Sequence, residues 1–257
     1  LIQLEKDGDL LSKTHLVIPD SHAHPDFSNE RYSYLSKLIM DVNPDVVIDI
    51  GDWFDMASLC SYDKGTRGFH GRRYQDDIAA GIEAQDRVLS PLRKRKRKLP
   101  RFVRCLGNHE YRIVRAIDRE PELLEGTIGL SDLQSKEYNW EEHPFNEVVN
   151  IDGINYTHYF VSGVMGRPIS SANSLLTRQR ASCTMGHTHT FEYKTESNVE
   201  GKRSHALFCG VFQDYDPDFA ANTNYLWRRG VVIKHNVEDG NYDLEWVSIQ
   251  RLKEMYG

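Results

Sequence analysis

Val46-Val47-Ile48-Asp49-Ile50-Gly51-Asp52-Trp53-Phe54-Asp55 is the stretch on which the reading of this chain turns. The apolar, β-branched run Val46-Val47-Ile48 predicts a buried strand. Gly51 ends it and, lacking a Cβ, allows a sharp backbone turn. Asp52 then emerges at the carboxyl end of the strand, the rim where open α/β sheets place ligands and catalysis. A second carboxylate, Asp55, follows three residues on. Taken alone, an Asp after a Gly is a turn or cap residue. The rest of the chain changes that reading.

Upstream, Leu16-Val17-Ile18 predicts a short buried strand that runs into Pro19-Asp20-Ser21-His22-Ala23-His24. Asp20 and His22 are two apart; on an extended backbone they share a face and can grip one ion. Leu35, Leu38, Ile39 and Val42 recur at helical spacing, and Asn43-Pro44 stops the helix. Residues 16–52 thus read as strand, helix, strand, a parallel crossover. Downstream, a strand over 102–106 ends in Gly107-Asn108-His109-Glu110. Segments 146–151 and 154–156 flank Asp152-Gly153, a hairpin signal, and the second arm runs into Thr157-His158. A strand over 182–185 ends in Gly186-His187-Thr188-His189. Helices are expected over 74–92, within 110–135, over 170–180 and in the tail 249–257. Further strands are expected near 202–212, 230–236 and 242–248. No repeat or linker interrupts the pattern, so one domain over 1–257 is expected.

Hydrophobic residues make up 39 % and the net charge is −6, a globular composition that excludes a polycation for nucleic acid as a whole. Charge is nevertheless uneven. Lys64, Arg67, Arg72 and Arg73 sit in a glycine-containing loop, and Arg93-Lys94-Arg95-Lys96-Arg97-Lys98 is a basic run. Such a run is either a solvated helix end or a nucleic-acid footprint. The four cysteines form no C-x-x-C pair, which argues against a zinc knuckle or dithiol redox site. Cys105, Cys183 and Cys209 lie in apolar runs and read as buried free thiols, which suits a reducing cytosol; a cytoplasmic location is the expectation. No run of 18 apolar residues predicts a membrane span.

Five predicted strands therefore end in Asp20/His22, Asp52, Asn108/His109, His158 and His187/His189, and these points hold five of the 11 histidines. Mixed carboxylate, amide-oxygen and imidazole ligands suit Mn²⁺, Fe or Zn²⁺ better than Ca²⁺. Seven ligands are too many for one ion and right for two. Two ions about 3.5–4 Å apart can clamp a phosphoryl group.

The ordered set resembles the calcineurin-like metallophosphoesterases, whose pattern is D-x-H, G-D-x-x-D, G-N-H-[DE], a lone H and G-H-x-H. This chain carries Asp20-Ser21-His22, Gly51-Asp52-Trp53-Phe54-Asp55, Gly107-Asn108-His109-Glu110, His158 and Gly186-His187-Thr188-His189, over residues 20–189. The resemblance implies an α/β fold, a four-layer αββα sandwich of two mixed sheets flanked by helices, with the site at one edge. It implies a first ion held by Asp20, His22 and His189, and a second held by Asn108, His158 and His187. It further implies that Asp52 would bridge them and that a hydroxide between the ions would attack phosphorus in line. Manganese is the metal expected first, then zinc, iron or nickel. His109 is implied to protonate the leaving oxygen, and Asp55 to hydrogen-bond His109 and raise its pKa. His24 has no place in the pattern; it either faces substrate or, the preferred reading, is a surface residue.

The family's Ser/Thr protein phosphatase branch has Arg after G-D-x-x-D and before G-N-H-E, where they hold a dianionic monoester by bidentate contacts. Here Met56 and Leu106 stand at those places. The G-D-x-F-D form is similar to that of DNA-repair exonucleases and nucleotide phosphodiesterases. The resemblance therefore points to a phosphodiesterase acting on nucleic acid or nucleotides, with DNA or RNA as partner. Arg72 and Arg73 of the basic loop and Arg167 of the glycine-containing loop 163–167 are the expected substrate contacts. Two other readings stand beside it: a phosphomonoesterase for a small metabolite, and a binding scaffold that has lost its chemistry. No ligand of the pattern is missing, which disfavours the last.

Overall fold

In the computed structural model, which describes residues 12–217, 220 and 222–257, the expected crossover is present. Strands β1 (Lys13–Ile18), β2 (Val46–Asp49), β3 (Arg101–Cys105) and β4 (Trp140–His143) pair in parallel, side by side. A second sheet has the order β5-β6-β7-β9-β8, from β5 (Val149–Ile151), β6 (Ile154–Tyr156), β7 (Cys183–Met185), β8 (Phe191–Ser197) and β9 (Arg203–Cys209). In it β6, β7 and β9 are parallel, and the outer strands are antiparallel to their neighbours. Finally β10 (Gly230–Glu238) returns antiparallel to the free edge of β1, and β11 (Asn241–Ser248) pairs with it. Both hairpin signals form turns with positive φ at both central residues, Asp152 (51°) and Gly153 (85°), Asp239 (44°) and Gly240 (83°).

The helices are α1 (Glu30–Val42), α2 (Tyr74–Arg93), α3 (Tyr111–Arg119), α4 (Pro121–Leu124), α5 (Ala172–Gln179) and α6 (Ile249–Tyr256). As the sequence predicts, Asn43 closes α1 in the left-handed region, its N–H on the Ile39 carbonyl. Ser171 caps α5 by accepting from the Ser174 N–H.

Strand alternation stacks these elements into layers. In the first sheet Leu16, Ile18, Val47 and Phe102 face one way, against Leu35 and Ile39 of α1, Val88 and Leu89 of α2 and Leu252 of α6. The intervening Val17, Ile48 and Val103 face the other way, onto Ile151, Tyr156, Leu207 and Cys209 of the second sheet. That sheet's opposite face, Cys183, Met185, Ala206 and Phe208, packs on Leu175 and Leu176 of α5. The result is the four-layer αββα sandwich of two mixed sheets flanked by helices. Each fully buried aliphatic side chain in these layers contributes about 1.5–3 kcal/mol.

Two features differ from the sequence reading, and a third settles where the basic run lies. β4 and β8 were not expected: both are edge strands, and β8 is largely exposed and polar. The segment 110–135 is three short pieces, α3, α4 and a 3₁₀ turn over Leu130–Leu133. The basic run 93–98 joins the end of α2 to the start of β3. Because Asn108 and His109 follow the other end of β3, the run lies on the opposite rim, with five strand residues, about 17 Å, between them. There Arg93 donates to the Glu137 carbonyl and stacks on Tyr138, while Arg95 donates to the Met40 carbonyl. All four cysteines are buried and free. No helix among the described residues is long and apolar enough to cross a membrane.

Candidate metal centre

The carboxyl ends of β1, β2, β3, β6 and β7 converge on one rim, and each hands its following loop to the same place. The loop after β1 is pinned to the loop after β2: the Ser21 and His22 N–H groups both donate to the Asp52 carbonyl (3.1 and 2.9 Å). Glu110, almost fully buried, ties in the loop after β3 by accepting from the N–H groups of Asp52, Phe54 and Gly107 (3.0, 2.8 and 2.8 Å). The buried guanidinium of Arg31 on α1 donates to the Ser21 and His22 carbonyls (2.6 and 3.2 Å), and Tyr215 donates to the latter as well.

These ties hold a strained backbone. His22 (46°), Asp52 (56°), His187 (68°) and His189 (60°) all have positive φ. L side chains rarely adopt that region, and such strain gathers at functional sites. Two glycines make room for the carboxylates. A Cβ on Gly107 would lie 2.1 Å from Asp52 Oδ1, and one on Gly186 would lie 2.1 Å from Asp20 Oδ1.

Two groups of ligand-type atoms result, each within 4.8 Å: Asp20, His22 and His189, and Asp52, His158 and His187. In the first, His189 Nε2 is 3.2 Å from both His22 Nε2 and Asp20 Oδ2. In the second, His158 Nε2 is 2.9 Å from Asn108 Oδ1 and 3.3 Å from Asp52 Oδ2. His158 Nδ1 donates to the Ile50 carbonyl (3.1 Å), and His22 Nδ1 to Asp55 Oδ1 (3.0 Å). With Nδ1 so engaged, each ring turns Nε2 inward, the nitrogen that a metal would take in exchange for its proton. Two imidazole nitrogens at 3.2 Å aimed at one point, with carboxylates beside them, fit a divalent cation.

The remaining group, His22, Asp55 and His109, is better read as a hydrogen-bonded chain. Asp55 Oδ1 sits between His22 Nδ1 and His109 Nδ1 (3.0 and 3.3 Å). His109 Nδ1 donates to the Asp55 main-chain carbonyl (2.6 Å), and its main-chain N–H donates to Asp52 Oδ1 (2.8 Å). Asp55 therefore serves His22 as well as His109, a double role that the sequence reading did not contain.

Electrostatics follow from packing carboxylates and imidazoles out of water. Burial favours neutral carboxyl groups, yet the His109 and His158 charges hold Asp52 well below the usual carboxylate range. Burial would lower His158, but Asp52 and Asp20 push it up to about 9. Burial and the His158 charge push His187 down to about 4. Burial would also lower His109; Asp52 and Asp55 outweigh it and the Arg112 guanidinium, and raise it. Burial, with the Asp52 and Asp49 carboxylates, pushes Glu110 up to about 7.

Beside the site lies a cavity of about 650 Å³, walled by His24, Asp55, Tyr62, Arg72, His109, Arg112 and Tyr215 among others. His24 is therefore a wall residue, not the surface residue expected: its Nε2 is 3.9 Å from Asp55 Oδ2, and its ring lies against Phe27. Phe27 and Tyr215 stack at 3.8 Å. Arg72 reaches the wall but is paired with Asp63 (2.6 Å). Arg73 and Arg167 are exposed and line no part of it. Arg112 was missed, although it stands one turn after His109. Its guanidinium donates to the Asp55 and Met56 carbonyls (2.9 and 3.2 Å) and reaches His109 Nε2 (3.0 Å). An arginine three residues beyond a candidate catalytic histidine on a helix N-terminus was the available signal.

No family model and no curated protein matches the chain. Among solved structures it is similar to a novel archaeal phosphodiesterase, at 15% identity and a TM-score of 0.42, over 91% of this chain and 99% of that one. It is also similar to Yfce, a phosphoesterase from E. coli, at 13% identity and a TM-score of 0.40, over 92% and 99%. The layer order, the mixed sheets and the rim of strand ends are consistent with a calcineurin-like metallophosphoesterase fold.

Proposed function

We propose that this chain is a two-metal phosphodiesterase acting on nucleic acid or nucleotides. The observation that carries the reading is the convergence of two ligand groups on one rim, with Asp52 in the second group and its loop hydrogen-bonded to that of the first. Asp20, His22 and His189 would hold one ion, Asn108, His158 and His187 the other, and Asp52 would touch both. Two bound divalent ions, Mn²⁺ foremost, would lower the pKa of a water to neutrality and offset charge on the phosphoryl oxygens.

The chain's own residues supply the rest. His109 stands between the candidate ligands and the large cavity, so the leaving group occupies that cavity. With Nδ1 held by Asp55, the proton for the leaving oxygen comes from Nε2. In the free site Arg112 donates to that nitrogen. When an arriving oxygen displaces the guanidinium, which turns to the phosphoryl group, Nε2 takes up a proton from solvent and then passes it to the leaving oxygen. The stacked Phe27 and Tyr215 rings offer a base a flat wall. Met56 and Leu106 are buried and apolar where a monoester site would carry guanidinium groups. Arg112 is one cation, suited to the single charge of a diester. Elemental analysis of protein loaded with Mn²⁺ tests the reading: two ions per chain are expected, both weakened by Asp52→Asn, and a chain that takes up none excludes it.

A further inference from the structure

A second, smaller groove of about 170 Å³ opens between the loop after β2 and helix α3. Its walls include Tyr62 and Lys64 from the loop, and Arg112, Arg115 and Arg119 from the helix. Arg112 and Tyr62 also wall the large cavity, so the two spaces adjoin. Positions 112, 115 and 119 are spaced three and four apart and share one helix face. No ion pair or hydrogen bond among the described residues engages the side chains of Lys64, Arg115 or Arg119. One carboxylate, Glu120, borders the far end. In a chain of net charge −6, three unpaired cations leading away from His109 are a local anion track.

We infer that this groove binds the phosphate backbone of a nucleic-acid strand on the leaving-group side of the cleaved bond. The inference rests on the phosphodiesterase reading above and deepens it. Arg112 to Arg119 spans about 10 Å of helix axis. At about 3.4 Å of axis per phosphate in a stacked strand, that holds roughly two to three phosphates. The positive N-terminal end of α3 points at the site and favours the phosphate nearest to it, while Arg115 and Arg119 offset the Glu120 carboxylate and the negative C-terminal turn further along. Tyr62, 85% exposed where the two spaces meet, is placed to stack on an unpaired base. The basic run 93–98, on the opposite rim, takes no part.

The test reads binding and turnover separately. Mn²⁺-loaded protein is titrated into a fluorescent twelve-nucleotide phosphorothioate oligothymidylate, which resists cleavage, and anisotropy is followed across salt concentrations. Arg115→Gln with Arg119→Gln should raise Kd roughly ten-fold at low salt and flatten the log–log salt slope by about 1.4, about 0.7 for each lost contact to a single strand. The same variant should hydrolyse bis(p-nitrophenyl) phosphate at the wild-type rate. Neutralising Lys94, Lys96 and Lys98 should leave the slope unchanged. An unaltered Kd and slope in the arginine variant overturns the track, and so does an equal loss in the lysine variant. If wild-type protein cleaves no diester while the arginine variant still loses binding, the track stands and the phosphodiesterase reading falls.

Discussion

Asp55 Oδ1 accepts a 3.0 Å hydrogen bond from His22 Nδ1, so the residue expected to tune the general acid also orients a candidate metal ligand. Carboxylate partners of metal-bound histidines fix the ring and raise its basicity, and their loss costs about 10–100-fold in metal affinity. Asp55→Asn should therefore weaken one of two ions by about that factor and lower the rate. Calorimetric titration with Mn²⁺ checks it. Unchanged affinity with a lowered rate would confine Asp55 to His109.

His109 follows Asn108 but holds no place in either ligand group. His109→Ala should keep both metals and lose roughly 10²–10⁴-fold in rate, the range for a general acid. The loss should shrink with acidic leaving groups such as p-nitrophenol. Full activity of the variant on an alkyl leaving group would remove His109 from the mechanism.

Gly186 leaves room beside its backbone for the carboxylate of Asp20. Since an added Cβ would stand 2.1 Å from Asp20 Oδ1, Gly186→Ala must push a candidate ligand aside. Metal content is expected to fall from two ions to about one, with the fold retained as judged by circular dichroism. Two ions bound at wild-type affinity would show that Asp20 is not a ligand.

Away from the rim, His15 is buried between the sheets, with Nδ1 on the Tyr156 hydroxyl and Nε2 on Asp152. Burial, with the Lys234 charge, pushes its pKa from 6.5 down to about 4. The unfolded chain therefore binds the extra proton first. This contribution to stability is present above pH 6.5 and lost as pH falls towards 4, in total roughly 3 kcal/mol. Urea unfolding of wild type and His15→Gln between pH 7.5 and 4.5 checks it: the wild type should lose more stability across that interval.

How much of this was legible depends on where each residue gets its meaning. The strand-end motifs were readable because apolar runs mark β1, β2, β3, β6 and β7, and a strand's direction fixes which rim its last residue reaches. The edge strands β4 and β8 were not, since a Trp140-Glu141-Glu142-His143 run or a half-exposed Phe191–Ser197 carries no burial signal. The same rule of direction, applied to β3, would have placed the run 93–98 on the far rim. His24 was misjudged because its place depends on Asp55, Phe27 and Tyr215, the last 191 positions away in sequence and brought close only by folding. Glu110 and Arg112 act through main-chain groups of another loop, and no spacing pattern encodes such contacts.

The most direct test of the central claim is a Mn²⁺ titration of metal-free protein, read by hydrolysis of bis(p-nitrophenyl) phosphate with p-nitrophenyl phosphate in parallel. Two-metal diester cleavage predicts activity that rises until two equivalents are bound, with the diester turned over faster than the monoester. Saturation at one equivalent, or a monoester turned over much faster than the diester, would contradict it.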